Sequence, residues 1–203
     1  MSMSGNLTAS WEAALQKLIE GNNRFTSGKL ADKELGAGRR QELSKGQNPF
    51  AVIVSCSDSR VPPELLFDQA LGDIFVVRTA GNVVDAIAIG SVEYAVEHLQ
   101  TPLVVVMGHE NCGAVKAAVD GGETEGSIGA IIDKIEPSLA KAKAAGATGA
   151  QLYEAATDEN IMSTIRDLQE SPVIQHLLAS GNLTLAGAKY HLGSGEVAFH
   201  VSK

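Results

Sequence analysis

The chain has 203 residues, an apolar fraction of 44 % and a formal net charge of −8. This length allows one sizeable domain with a hydrophobic core of its own. The acidic balance argues against a nucleic-acid partner, because binding phosphate backbones requires clustered Lys and Arg. The basic residues of this chain are scattered instead.

The chain also lacks the sequence features of a secreted or membrane-bound protein. Its N-terminus has neither the basic start nor the apolar run of a signal peptide, and its longest apolar stretches, such as 103–107, are too short to cross a bilayer. Two cysteines are too few for a disulfide framework. We therefore expect a cytoplasmic protein with no membrane partner, in which both thiols stay reduced.

The first part of the chain, residues 1–45, predicts an N-terminal helical arm. Ser10 can cap a helix, and Gly21 and Asn22 are expected to weaken that helix toward its end. A polar stretch follows, and the pattern then predicts a second short helix from 39 to 45.

Strands and helices alternate after this arm. Continuous apolar runs predict buried strands at 50–54 and 103–107, and a further strand is predicted at 73–77. Helices are predicted at 82–99 and 114–119. This alternation is typical of an α/β fold in which helices flank a mainly parallel sheet.

The second half of the chain is predicted to be helical and then to return to the sheet. Residues 127–180 are mostly helical, and 183–190 and 196–201 predict two strands joined as a hairpin. We therefore expect about four parallel strands plus an antiparallel edge strand. The residues expected to break the helical part are Pro137, Gly146, Gly149 and Pro172.

Both cysteines follow predicted strands. Cys56 comes just after the strand at 50–54, and His109 and Cys112 come just after the strand at 103–107. In parallel sheets, ligand sites collect beyond the carboxyl ends of the strands, so the three side chains are expected to meet. Two thiolates and one imidazole suit Zn²⁺, and three protein ligands leave one position for water, as in catalytic zinc sites.

The motif Cys56-Ser57-Asp58-Ser59-Arg60 adds a charged pair beside the first thiol. Asp58 can accept a hydrogen bond from a metal-bound hydroxide while Arg60 keeps it ionised and oriented. Asp58 can instead close the metal site as a fourth ligand, or the pair can merely fix a turn.

Other cysteine and phosphate chemistries fit less well. A phosphatase loop spaces its Cys and Arg more widely than the three residues found here, and neither a Cys-x-x-Cys pair nor a Gly-rich phosphate loop is present. The remaining histidines are expected to have surface or core roles. They are His98, His176, His191 and His200.

The motif at 56–60 and the motif His109-x-x-Cys112-Gly113 resemble the two zinc motifs of the β-class carbonic anhydrases. The resemblance covers roughly residues 8–201, and it is weaker at 123–170. Further similar segments lie at 46–50, 72–78, 93–95 and 187–192. The resemblance implies a single β-carbonic-anhydrase-like domain over 1–203. Its parts are the arm at 1–45, a zinc-site core at 50–122, a helical segment at 123–180 and C-terminal strands at 183–203.

The resemblance implies an enzyme, a carbonate dehydratase, with one Zn²⁺ per chain. Its reaction is the reversible hydration of carbon dioxide to bicarbonate and a proton by zinc-bound hydroxide. By this similarity Cys56, His109 and Cys112 carry the zinc, while Asp58 and Arg60 form an orienting dyad.

The resemblance also implies a substrate pocket and an assembly. The pocket would use Gln47 as a hydrogen-bond donor, Phe75 and Tyr94 as apolar walls, and the Gly113 backbone. The family is built on dimers in which the N-terminal helix lies across the partner, so a homodimer or a dimer of dimers is expected.

Two other functions stay open at this point. A related zinc hydrolase acting on carbonyl sulfide or carbon disulfide would use a similar site. A non-catalytic zinc protein would have Asp58 as the fourth ligand.

Overall fold

A computed structural model of the chain describes residues 10–122 and 125–201. The remaining residues, 1–9, 123–124 and 202–203, belong to the predicted arm, helical segment and terminal strands, and those parts of the predictions lie outside the described residues. Among the helices of the described ranges, none combines the length and the apolarity that a bilayer span requires.

A five-stranded sheet forms the centre of the fold, with strand order β2-β1-β3-β4-β5. The first four strands pair in parallel, and β5 pairs antiparallel with β4 at one edge. This confirms the predicted fold class. The strands are β1 (Ala51–Cys56), β2 (Ile74–Thr79), β3 (Leu103–His109), β4 (Thr184–Tyr190) and β5 (Val197–Val201).

Helices cover both faces of this sheet. They are α1 (Trp11–Thr26), α2 (Ala37–Leu43), α3 (Pro63–Leu66), α4 (Ala86–Glu97), α5 (Gly113–Asp120), α6 (Ile128–Ala144), α7 (Ala150–Gln169) and α8 (Pro172–Ala179). A short 3₁₀ turn at Ala80–Asn82 follows β2. Neither α3 nor this turn was predicted from the sequence.

The two faces of the sheet are packed by different helices. On β1, Val52 and Val54 point into a core formed with α4, α7 and α8. Ala51 and Ile53 alternate with them and point into a core formed with α1 and α3. β1 and β3 are buried along their whole length, and because both of their faces are covered, they begin with the continuous apolar runs seen in the sequence.

The helix α1 is longer than predicted and does not weaken at Gly21 and Asn22. A Cβ at Gly21 would lie 1.8 Å from the carbonyl oxygen of Phe67, so only glycine allows this close approach. The buried Asn22 side chain donates to the carbonyls of Leu66 and Gly195. Both residues therefore serve tertiary contacts, and α1 packs on its own chain.

The expectation that Pro137 breaks the helical segment is wrong, because α6 runs through it from Ile128 to Ala144. A proline inside a helix removes one hydrogen bond, here the bond to the carbonyl of Asp133. Asp133 is exposed, so water can satisfy that carbonyl. The buried face of α6, which includes Ile135 and Leu139, holds the helix in place.

Candidate metal centre

The carboxyl ends of β1 and β3 bring the two cysteine motifs together. Cys56 is the last residue of β1, His109 is the last residue of β3, and Cys112 is the N-cap of α5. Their two sulfurs and one ring nitrogen lie within 4.8 Å of one another, and all three side chains are buried. The convergence predicted from the strand ends is therefore present in the fold.

The ring of His109 has the tautomer that binds a metal through Nε2. Its Nδ1 lies 2.8 Å from the carbonyl oxygen of Glu110. A carbonyl only accepts hydrogen bonds, so Nδ1 carries the proton and Nε2 presents a lone pair. Within the described residues, this buried Nε2 has no hydrogen-bond partner.

The pKa values of the two thiols are shifted in opposite directions. The neighbouring Cys112 thiol, with the backbone N–H groups of Gly81 and Asp58 at 3.3 and 3.4 Å, lowers the pKa of Cys56. The hydrogen bond between the two thiols, together with burial, raises the pKa of Cys112. A divalent cation would supply the positive charge that lets both sulfurs ionise. The donor set and its unpartnered nitrogen thus fit Zn²⁺.

Asp58 lies beside these three groups and is held by Arg60. The Arg60 guanidinium donates from Nε to Oδ1 at 3.0 Å and from Nη2 to Oδ2 at 2.7 Å. This bidentate bond lowers the pKa of Asp58 to about 2, so the carboxylate is ionised at neutral pH. Its Oδ2 is 3.9 Å from Nε2 of His109.

Two further side chains hold the loops beside the candidate metal ligands. Neither side chain was given a role in the sequence analysis. Arg78 of β2 donates to the carbonyls of Cys56 and Asp58 at 2.9 and 2.6 Å. Asn160 of α7 donates at 2.7 Å to the carbonyl of Gly81, whose N–H faces the Cys56 sulfur. The position of Arg78 at a strand end was a usable signal, whereas no local pattern marks Asn160.

The predicted substrate residues are divided between two ends of the sheet. Gly113 follows Cys112 directly and lies at the metal centre. Gln47 precedes β1 and lies beyond the opposite end of that strand, which at its usual rise of about 3.3 Å per residue is about 20 Å long. Phe75 pairs with Val52, four residues before Cys56, so within one chain it lies about 13 Å from the metal centre.

Tyr94 lies with Phe75 rather than with the metal centre. The two ring centroids are 6.4 Å apart, and Tyr94 is 47 % exposed. A single chain therefore does not bring Gln47, Phe75 and Tyr94 to the three candidate metal ligands.

The sheet and the Cys-His-Cys group at its carboxyl edge define an α/β protein with a candidate zinc centre. The model of the family described as "Carbonic anhydrase" matches residues 51–197. A carbonic anhydrase of Mycolicibacterium smegmatis is 43 % identical over 199 residues, which cover 96 % of this chain and 93 % of that protein. Carbonic anhydrase 2 of Mycobacterium tuberculosis is 40 % identical over 195 residues, covering 94 % and 91 %.

Solved structures agree with these relatives. The β-carbonic anhydrase CcaA superposes with a TM-score of 0.74 at 30 % identity, over 93 % of this chain and 92 % of that one. The chain therefore belongs to the carbonic anhydrase family, in its β class. The predicted family and the predicted enzyme class, carbonate dehydratase, are confirmed.

Proposed function

We propose that this chain catalyses the reversible hydration of carbon dioxide to bicarbonate and a proton, with one Zn²⁺ per chain held by Cys56, His109 and Cys112. The observation that carries the proposal is the buried group of two sulfurs and one ring nitrogen within 4.8 Å of one another. Zinc in such a site lowers the pKa of a bound water toward about 7 and so supplies the nucleophile.

Asp58 would orient that water. An ionised carboxylate accepts hydrogen bonds and donates none, so it draws a proton of the water toward itself and leaves an oxygen lone pair for carbon dioxide. Arg60 occupies both carboxylate oxygens, and its own backbone N–H donates to Oδ1 at 2.9 Å. This arrangement supports an orienting role for Asp58 rather than a fourth-ligand role.

The substrate pocket would be completed by a second copy of the chain. Gln47, Phe75 and Tyr94 lie away from the metal centre of their own chain, so they can join Gly113 at one site only if another copy supplies them. The edge strand β2 is half-buried along its length, and Ile87 on α4 is 79 % exposed. These surfaces support a homodimer, alone or paired as a dimer of dimers.

The remaining features of the proposal concern the chain as a whole. One sheet joins strands from 51 to 201, and α1 packs on it, which supports a single domain over 1–203. Cys56 and Cys112 are free thiols, and a reducing compartment such as the cytoplasm keeps such thiols available as ligands.

The proposal is tested by measuring zinc content and carbon dioxide hydration for the wild type, Asp58→Ala and Asp133→Ala. Asp133 is an exposed acid on α6 and serves as the matched control. We expect one zinc per chain in all three proteins and loss of hydration in Asp58→Ala alone. One zinc per chain without any hydration by the wild type would reject the proposal. Faster turnover of carbonyl sulfide than of carbon dioxide would favour the related hydrolase.

The shared pocket is tested by mixing two inactive variants, Gln47→Leu and Asp58→Ala. In a mixed dimer, one site combines an intact metal centre with an intact pocket from the other chain, so activity should return on mixing. A chain that carries both substitutions should rescue neither variant. If each site were built from one chain, the mixture would stay inactive.

A further inference from the structure

Glu110, which follows His109, connects the candidate metal centre to the β4–β5 hairpin. Its backbone carbonyl accepts the Nδ1 proton of His109 at 2.8 Å, and its backbone N–H donates to the carbonyl of Tyr190 at 3.0 Å. Its carboxylate accepts from Nδ1 of His191 at 2.6 Å and from the backbone N–H of Leu192 at 3.0 Å. Three of its four hydrogen bonds therefore go to the hairpin.

Glu110 lies in the turn between β3 and α5. The next residue, Asn111, has a φ of 52°, in the left-handed region that asparagine adopts more readily than most other residues. Asn111 thus permits the turn, but its conformation alone does not fix the Glu110 peptide beside His109. The bonds from the hairpin to Glu110 supply that restraint directly beside His109.

The hairpin itself is firmly held. The backbone N–H of His191 donates to the carbonyl of Glu196 at 2.8 Å, across the two strands. Asn22 of α1 accepts from the backbone N–H of Val197 at 2.9 Å and donates to the carbonyl of Gly195 at 2.9 Å. The hairpin is thus anchored by the N-terminal helix as well as by its bonds to Glu110.

We propose that Glu110 is a positioning residue for the metal centre, and that His191 acts through it. The carboxylate fixes the Glu110 peptide against the hairpin, and the Glu110 carbonyl then sets the tautomer and rotation of the His109 ring. The Nε2 atom of that ring is thereby kept within 4.8 Å of the two sulfurs. This inference rests on the zinc site of the proposed function, but the effect of Glu110 on the His109 tautomer concerns the metal-free chain as well.

The first test compares Glu110→Ala with Glu196→Ala, which removes an exposed carboxylate from the same hairpin. Zinc affinity is measured by competition with a chromophoric chelator. Partners that orient a metal-binding histidine contribute about 10- to 100-fold in affinity, and we expect a loss of about 10-fold for Glu110→Ala. Glu196→Ala should bind zinc as the wild type does.

A second measurement reads the ring directly. Long-range ¹H–¹⁵N spectra of the metal-free protein report which imidazole nitrogen carries the proton. In the wild type the His109 ring should carry its proton at Nδ1 alone. In Glu110→Ala the ring should exchange between the tautomer protonated at Nδ1 and the tautomer protonated at Nε2. A role limited to overall stability would lower the melting temperature without changing this tautomer.

The partner on the hairpin is tested by two substitutions of His191. His191→Leu removes the donor to the carboxylate and should weaken zinc binding like Glu110→Ala. His191→Asn places an amide N–H near the position of Nδ1 and should restore the affinity and the tautomer. Wild-type affinity and an unchanged tautomer in Glu110→Ala would overturn the inference. If the wild type itself bound no zinc, the proposed function would fail, and the tautomer alone would decide the role of Glu110.

Discussion

Two carboxylates near the start of the fold, Asp58 and Asp68, both pair with cations but in opposite settings. The Asp68 side chain is fully buried and accepts from Nε of Arg24 at 2.5 Å, from the Lys33 ammonium, and from the backbone N–H of Ala31 at 3.0 Å. The Asp58 side chain is 17 % exposed, and its partner Arg60 is 52 % exposed.

The difference separates a structural carboxylate from the one to which we assign a function. Among the residues that the structure describes, the hydrogen bonds to the Asp68 carboxylate come from α1 and from the segment after it, so this carboxylate fastens the N-terminal arm to the chain beyond α3. The hydrogen bonds to the Asp58 carboxylate come from Arg60, two residues away, so this side chain fastens no distant element. They leave Oδ2 facing His109. Burial and the origin of the partners, rather than the ion pair itself, show which carboxylate is available for chemistry.

The largest effect is expected for Asp68→Asn. It leaves two cations facing an amide in place of a carboxylate, and breaking a buried ion pair costs about 3–5 kcal/mol. Because Arg24 and Lys33 are 36 % and 20 % exposed and regain water, we expect a loss near the lower limit, about 3 kcal/mol. Denaturant unfolding measures this loss of stability. The control is Asp32→Asn, which changes an exposed carboxylate next to Lys33. Equal stability of the two variants would contradict the structural role of Asp68.

Asp58→Asn should have the reverse profile. Removing a positioned group that handles a proton typically costs 10²- to 10⁴-fold in rate, and we expect carbon dioxide hydration to fall about 100-fold. The free energy of unfolding should stay within about 0.5 kcal/mol of the wild type, because Arg60 is exposed and keeps its water. A large loss of stability in Asp58→Asn would erase the distinction between the two carboxylates.

The contrast also shows what the sequence could and could not predict. The three metal-ligand candidates were found because buried parallel strands leave continuous apolar runs, and the residues that follow such runs meet at one edge of the sheet. Asp68 carries no comparable signal, since its partners Arg24 and Lys33 lie 44 and 35 residues away. Their association depends on how α1 packs, which no local pattern specifies.

The same reasoning explains the errors in the helices. Gly21 and Asn22 have low helix propensity, yet α1 continues through them because both contact the C-terminal end of α3, at Phe67 and Leu66. Pro137 was expected to end a helix that packing preserves. At these positions tertiary contacts outweigh propensity, and the sequence predicts the propensity alone. The separation of Gln47 from the metal centre likewise follows from the strand length of the assembled sheet.

A smaller effect is expected on the ionisation of Asp58 when its partner is removed. The Arg60 hydrogen bonds lower the pKa of Asp58 to about 2, and Arg60→Ala should return the pKa toward its ordinary value of about 3.9. The carboxyl carbon shift of Asp58, followed by NMR during an acid titration of the metal-free protein, measures this change. Arg40→Ala, which removes an arginine whose Nη1 contacts the carbonyl of Leu35, is the control. A pKa that stayed near 2 in Arg60→Ala would mean that other groups hold Asp58 ionised.

The smallest expected effect is the pH dependence of the stability that the Asp68 charge contributes. Burial raises its pKa, but the bonds from Lys33, Arg24 and the Ala31 N–H outweigh burial and leave the pKa below its ordinary value. A lowered pKa in the folded state adds stability that is fully present above the unfolded pKa of about 3.9 and is lost as pH falls through the folded pKa. The stability difference between the wild type and Asp68→Asn should therefore be constant above about pH 5 and shrink below about pH 4. The slope should not exceed about 1.4 kcal/mol per pH unit, the limit for one proton. Other carboxylates titrate equally in both proteins and cancel in the difference, so a gap that stayed constant down to pH 2 would show that the Asp68 charge does not hold the arm.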